Sequence, residues 1–89
     1  MLSAAERKEL KARAHPLEPV VMIGSKGLTD EVVKAVDVAL KAHELIKVRA
    51  AGLEREQRDV ALKALCERTG AESVQSVGKV FVIYRKRHE

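Results

Sequence analysis

Four short runs rich in β-branched residues, Val20 to Ile23, Leu45 to Ala50, Val74 to Val77 and Val80 to Arg85, alternate with stretches of helical period in a chain of 89 residues. Strands separated by helices bury their apolar faces by forming a sheet with helices packed on it, so the pattern predicts an α/β fold. Splitting so short a chain would leave each half too little apolar surface to fold, which makes residues 1–89 a single domain.

The local signals place each element. Ser3 followed by Glu6 is a capping box, and the run to Ala14 lacks Gly, Pro and β-branched residues, predicting an N-terminal helix within residues 1–15. Pro16 disfavours helical geometry at His15, so His15 to Pro19 becomes a stiff connector. Val20 to Ile23 is apolar at every position, as expected of a strand covered on both faces. Thr29 is placed to cap a second helix ending near Ala42, with Val32, Val36, Ala39, Leu40 and His43 on its packed face. Leu45 to Ala50 alternates, with Ile46, Val48 and Ala50 inward and Lys47 and Arg49 outward, which predicts cover on one face only. Glu54 to Thr69 repeats the helical logic through Val60, Ala61, Ala64 and Leu65, and Gly70 suits a left-handed cap. Gly78-Lys79 between the last two strands fits a two-residue hairpin with Gly first. The expected architecture is α-β-α-β-α-β-β, two or three layers deep, with a four-stranded mixed sheet and helices two and three on one face. Residues 86–89 read as a frayed basic tail.

Composition excludes several function classes. The longest apolar run is far shorter than the roughly 20 residues that span a bilayer, and the single cysteine, Cys66, forms no internal disulfide. A cytoplasmic protein, monomeric and without a membrane partner, is the expectation. Phe81 and Tyr84 are the only aromatic residues, too few for a stacking platform. The net charge of +4 is unevenly spread. Residues 1–15 carry four basic side chains against two acidic, residues 79–89 four against one, and the middle is close to neutral. If the fold brings the two ends together they form one basic face, the footprint of a polyanion partner; a solubilising surface is the plainer reading of charge alone.

Chemistry-bearing residues do not cluster. His15, His43, His88 and Cys66 lack metal-ligand spacing, and no acid, base and nucleophile converge, so neither a metal, a cofactor, a small-molecule substrate nor an enzyme is expected. Gly24-Ser25-Lys26-Gly27 has the wrong spacing for a P-loop and lacks the third glycine of a dinucleotide fingerprint. What remains is G-x-x-G between a strand and a helix. Two glycines permit a turn so bare that a phosphodiester can lie against the peptide groups, with Lys26 and the following helix start adding positive charge. The four residues alone fit a plain strand-to-helix turn equally well.

Longer stretches narrow the choice. Ala14-His15-Pro16-Leu17-Glu18-Pro19-Val20-Val21, Ile23-Gly24-Ser25-Lys26-Gly27-Leu28-Thr29, His43-Glu44-Leu45-Ile46-Lys47-Val48, and Val77-Gly78-Lys79-Val80 through Tyr84-Arg85 resemble the YhbY-like CRM domain family, named for chloroplast RNA splicing and ribosome maturation. The likeness runs over nearly the whole chain in order and spacing. It implies an RNA-binding fold similar to the C-terminal domain of translation initiation factor three, with an added N-terminal helix. It also implies association with ribosomal RNA in precursors of the large ribosomal subunit, and a G-x-x-G loop at Gly24, Ser25, Lys26 and Gly27. Charge placement adds Lys8, Lys11, Arg13, Lys47, Arg49, Lys79 and Arg85 as candidate RNA contacts. Two rivals stand beside this reading: a K-homology-like RNA module, which shares the loop signature but sets it between two helices, and a basic protein-interaction scaffold.

Overall fold

The computed structural model describes residues 2–87. Along the chain it contains helix α1 (Ala4–Ala14), strand β1 (Pro19–Met22), helix α2 (Asp30–His43), strand β2 (Leu45–Arg49), helix α3 (Arg55–Thr69), and strands β3 (Glu72–Val77) and β4 (Val80–Tyr84). The predicted order holds, and the sheet is four-stranded and mixed. Its spatial order is β1-β2-β4-β3, with β1 parallel to β2 and the other neighbours antiparallel.

The helix ends follow from the caps. Ser3 and Glu6 exchange hydrogen bonds with each other's amides, Thr29 Oγ1 accepts from Val32 N–H, and Gly70 ends α3 at φ 74°. The hairpin turns on Gly78 at φ 56°, the positive value that its first turn position requires. Helix α2 ends differently, because Glu44 adopts φ 62° and the chain enters β2 at the next residue. His43, expected on the packed face, is exposed there.

Two apolar clusters fill the two sides of the sheet. Helices α2 and α3 cover one face, where Val36, Leu40, Ile46, Val48, Leu65, Phe81 and Ile83 are fully buried or nearly so. Helix α1 covers part of the other through Leu10 and Ala14, which meet Leu45, Val74 and Val82. Strand β2 is therefore covered on both faces along part of its length, where alternation predicted one. The opposite correction applies to β1. It is an edge strand that α1 leaves uncovered, so Val20 and Met22 are 53% and 63% exposed and only Val21 faces the core. Val60, assigned by its period to the packed face of α3, is 70% exposed. Strand β3 begins two residues earlier than expected, since pairing with β4 recruits Glu72 and Ser73, which carry no strand signal of their own.

Arg85 closes the far end. Its guanidinium donates to Asp37 Oδ1 at 2.7 Å, to Thr69 O at 2.7 Å and to Asp37 O at 3.2 Å, and its amide donates to Glu44 O. One side chain thus ties β4 to α2 and to the end of α3. Two residues on, the Arg87 amide donates to Glu44 Oε2, so the tail is still tied to the end of α2 there; His88 and Glu89 lie outside the described residues.

The Arg85 hydrogen bond, then that of Lys41, holds the Asp37 carboxyl below the usual aspartate range. A carboxyl depressed on folding stabilises above its unfolded value and loses that contribution as the pH falls through its folded one. Arg85→Ala should lower stability at neutral pH by about 1–3 kcal/mol and flatten the acid limb of the thermal midpoint plotted against pH, as read by circular dichroism.

Candidate nucleic-acid interface

Three connections meet at one end of the sheet. Strands β1 and β2 run parallel and finish there, and the β3–β4 hairpin turns there, so residues 23–29, 50–54 and 78–79 are neighbours. Main-chain bonds join them: Ile23 N–H donates to Arg49 O at 2.7 Å, Gly52 N–H to Ile23 O at 3.4 Å, and Ala50 N–H to Lys79 O at 2.7 Å.

The G-x-x-G segment forms a turn on that support. Gly27 N–H donates to Gly24 O at 3.0 Å, and Ile23 before it and Leu28 after it pack into the core. Gly24, Ser25 and Lys26 are exposed, and among the described residues the amides of Ser25 and Lys26 meet no acceptor in the chain. The two glycines differ in why they are glycine. Gly27 has φ 75°, which a side chain resists. Gly24 has no such constraint, and a Cβ there would meet nothing within 4 Å. Folding does not require the bareness of Gly24.

The start of α2 contributes less positive field than the sequence suggests. Thr29 satisfies one free amide, Asp30 and Glu31 occupy the first turn, and Asp30 also holds Arg68 at 2.9 Å. The positive charge beside the loop comes from side chains. Arg49 is exposed in the rung Met22–Arg49–Val80, and Lys79 is exposed at the hairpin tip, so both share the loop's end of the sheet. Farther along the α1 side, Lys11 and Lys47 line one cleft of about 400 Å³ with His15, Val77 and Val80. Lys47 Nζ also donates to His15 O and Leu17 O, at 3.2 and 2.9 Å, and so pins the proline connector. Lys8 is exposed on α1, and Arg13 faces a separate recess with Leu17, Val20 and His43. Arg85 stands apart, 18% exposed, with its guanidinium committed to Asp37 and Thr69.

Gly52 is the residue that the sequence reading misses. A Cβ there would overlap the Gly24 carbonyl carbon and the Ser25 amide nitrogen, so the turn rests directly on the Gly52 main chain. No local pattern announces this, because the two segments meet only through the sheet. Burial raises the Cys66 thiol pKa, with Glu72 adding to it, so the sulfur stays protonated at neutral pH. Among the described residues, no three His, Cys, Asp or Glu side chains gather at metal distance, and no helix is long and apolar enough to cross a membrane.

A strand-to-helix G-x-x-G turn, in this topology, separates the chain from a K-homology module, where the loop joins two helices. The model of the CRS1 / YhbY (CRM) domain matches residues 2–85. The chain belongs to this family. It is a family of non-catalytic RNA-binding domains. Among similar proteins, an RNA-binding protein of Haemophilus influenzae is 43% identical over 88 residues, covering 99% of this chain and 89% of the relative. A "probable RNA-binding protein" of Pseudomonas aeruginosa is 40% identical over 85 residues, covering 96% and 82%. The solution structure of a Staphylococcus aureus protein, described as a candidate RNA binder, superposes with a TM-score of 0.88 at 32% identity, covering 100% of this chain and 93% of that one.

The contrast between glycines is testable by heat denaturation. Gly52→Ala should cost about 1–3 kcal/mol and shift the amide resonances of Ser25 and Lys26, since the added methyl meets backbone. Gly24→Ala should leave stability within about 0.5 kcal/mol of the parent chain.

Proposed function

We propose that this CRM domain grips a single RNA strand by its sugar-phosphate backbone at Gly24, Ser25, Lys26 and Gly27, and that it serves as an assembly factor on precursors of the large ribosomal subunit. The observation that carries the grip is the bareness of Gly24. Neither its backbone angles nor its neighbours demand a glycine, yet it stands beside two exposed residues, Ser25 and Lys26, whose amides meet no acceptor among the described residues. An anionic oxygen that approaches there meets N–H donors with no side chain in the way, and Lys26 adds an ammonium at the tip.

Arg49 and Lys79 extend the contact along the same end of the sheet, and Lys11 and Lys47 continue it beneath α1. Lys8 and Arg13 supply a weaker outer field from the exposed side of α1. Arg85 is left out of the contact set, because drawing its guanidinium to a phosphate would strip Asp37 and the Thr69 carbonyl of their donor. Phe81 is fully buried and Tyr84 packs partly into the α1-side cluster, so stacking on aromatic rings plays no part. The names of the relatives support RNA as the partner. Large-subunit precursors are the RNA class that the family resemblance implies.

Lys26→Glu should weaken binding of a short single-stranded RNA while leaving the thermal midpoint unchanged; equal affinity in fluorescence anisotropy would refute the loop contact. If about four phosphates are neutralised, raising salt from 50 to 200 mM should weaken the parent chain roughly fifty-fold. An acidic polypeptide of matching charge that competed as well as RNA would favour the scaffold reading instead. Crosslinking in cells followed by sequencing of the attached RNA tests the assembly role, which requires large-subunit precursor RNA to dominate.

A further inference from the structure

Val60 breaks the helical pattern of α3 by facing out, and what it faces is a groove. This depression, about 450 Å³, lies between the G-x-x-G turn and α3, with Lys26 and Gly27 on one wall and Val60, Ala61 and Ala64 on the other. Leu53 completes an apolar floor. Its size is within the range of sites that hold small organic groups.

The charges at its rim differ from those elsewhere around the turn. The α1-side cleft carries Lys11 and Lys47, whereas the α3 wall carries the exposed carboxylate of Glu56. Among the described residues Glu56 has no cationic partner. Beside it, Gln57 Oε1 accepts from Glu54 N–H, which leaves the Gln57 amide donors pointing away from that bond. The apolar trough thus has one cation, Lys26, on its turn wall and one carboxylate, Glu56, on its α3 wall, so phosphate is favoured toward the turn and repelled along the α3 wall. The α3 side suits a neutral, flat heterocycle whose edge donates hydrogen bonds.

We propose that the groove between the G-x-x-G turn and α3 receives nucleobases of the strand held by the turn, and that Glu56 selects bases whose edge carries an amino group. This rests on the backbone grip proposed above, and it assigns the two sides of the turn to two parts of one ligand. Phosphates lie toward the turn amides and Lys26, and bases turn toward Val60 and Ala64. Cytosine offers its N4 amino group to the Glu56 carboxylate. Uracil offers a carbonyl oxygen at the same place, and two lone-pair-bearing oxygens facing each other repel. The two bases are nearly equal in size, so packing against the aliphatic floor does not distinguish them.

The experiment compares short oligocytidylate, oligouridylate and an abasic ribose-phosphate oligomer of equal length, by anisotropy against the parent chain, Glu56→Gln and Ala64→Met. The parent should prefer oligocytidylate over oligouridylate by roughly three- to tenfold, and both over the abasic strand. Glu56→Gln should abolish the preference, because a carboxamide can both donate and accept. It should leave abasic binding no weaker. Ala64→Met, which fills the groove with neutral bulk, should bring oligocytidylate down to the abasic affinity. The thermal midpoint monitors folding of Ala64→Met, and Glu56→Gln on the exposed surface keeps the test valid if that chain is unstable. Equal binding of all three oligomers, still weakened by Lys26→Glu, would overturn the groove assignment and spare the backbone grip. Oligomer binding insensitive to both Lys26→Glu and Glu56→Gln would overturn both. A preference for oligocytidylate that survives Glu56→Gln would overturn the role of the carboxylate, and with it the proposal.

Discussion

The pairing of β2 with β4 holds the two halves of the chain together. These strands lie some thirty-five residues apart in sequence, with Leu45 opposite Tyr84 and Arg49 opposite Val80. Ile46, Val48, Phe81 and Ile83 from the two strands form the centre of the larger apolar cluster. Leu45 and Val82 point the other way into the cluster under α1. A central pair buried on both faces leaves little freedom of register, since a slip by one residue would send Lys47 and Arg49 into the core. Arg85, one residue beyond β4, extends the same constraint by clamping α2 and the end of α3.

That register also decides what stands at the loop end. With β1 alongside β2, the 23–29 and 50–54 segments are brought together closely enough for the Gly52 main chain to support the Gly24–Ser25 peptide. The turn is thus held from below by backbone and left open above. In the proposed backbone grip, a main-chain turn that is already held in place before the ligand arrives loses little ordering entropy on binding. The distribution of charge complements this. Lys11 and Lys47 line the cleft on the α1 side, and an apolar trough bordered by Lys26 and the Glu56 carboxylate lies on the α3 side, the difference on which the proposed separation of phosphate from base rests.

Much of the fold was legible locally. The capping box at Ser3, the cap at Thr29, the left-handed Gly70 and the Gly78 hairpin each depend on contacts within a few residues, which is why they read correctly from sequence. The errors fall where a distant element decides burial. Val20 and Met22 are apolar but lie on an edge that α1 does not cover, and Leu45 is buried because α1 crosses that end of β2. Val60 has the period of a core residue and the exposure of a surface one. Of the candidate contacts, the G-x-x-G turn was legible as a bare turn, and Arg49 and Lys79 as outward cations. The structural use of Arg85 was not, since its partners Asp37 and Thr69 belong to other elements.

The amino-acid sequence by itself determined the succession of helices and strands, the sites of the turns and the family, because periodicity, caps and turn chemistry act over a few neighbouring residues. Only the tertiary structure decided that Gly52 supports the turn, that Gly24 is bare without need, that Arg85 is a clamp, and that Val60 and Glu56 border a groove. Those outcomes depend on which segments the sheet brings within contact, and hydrophobic burial, being non-directional, does not announce its partners in the local pattern.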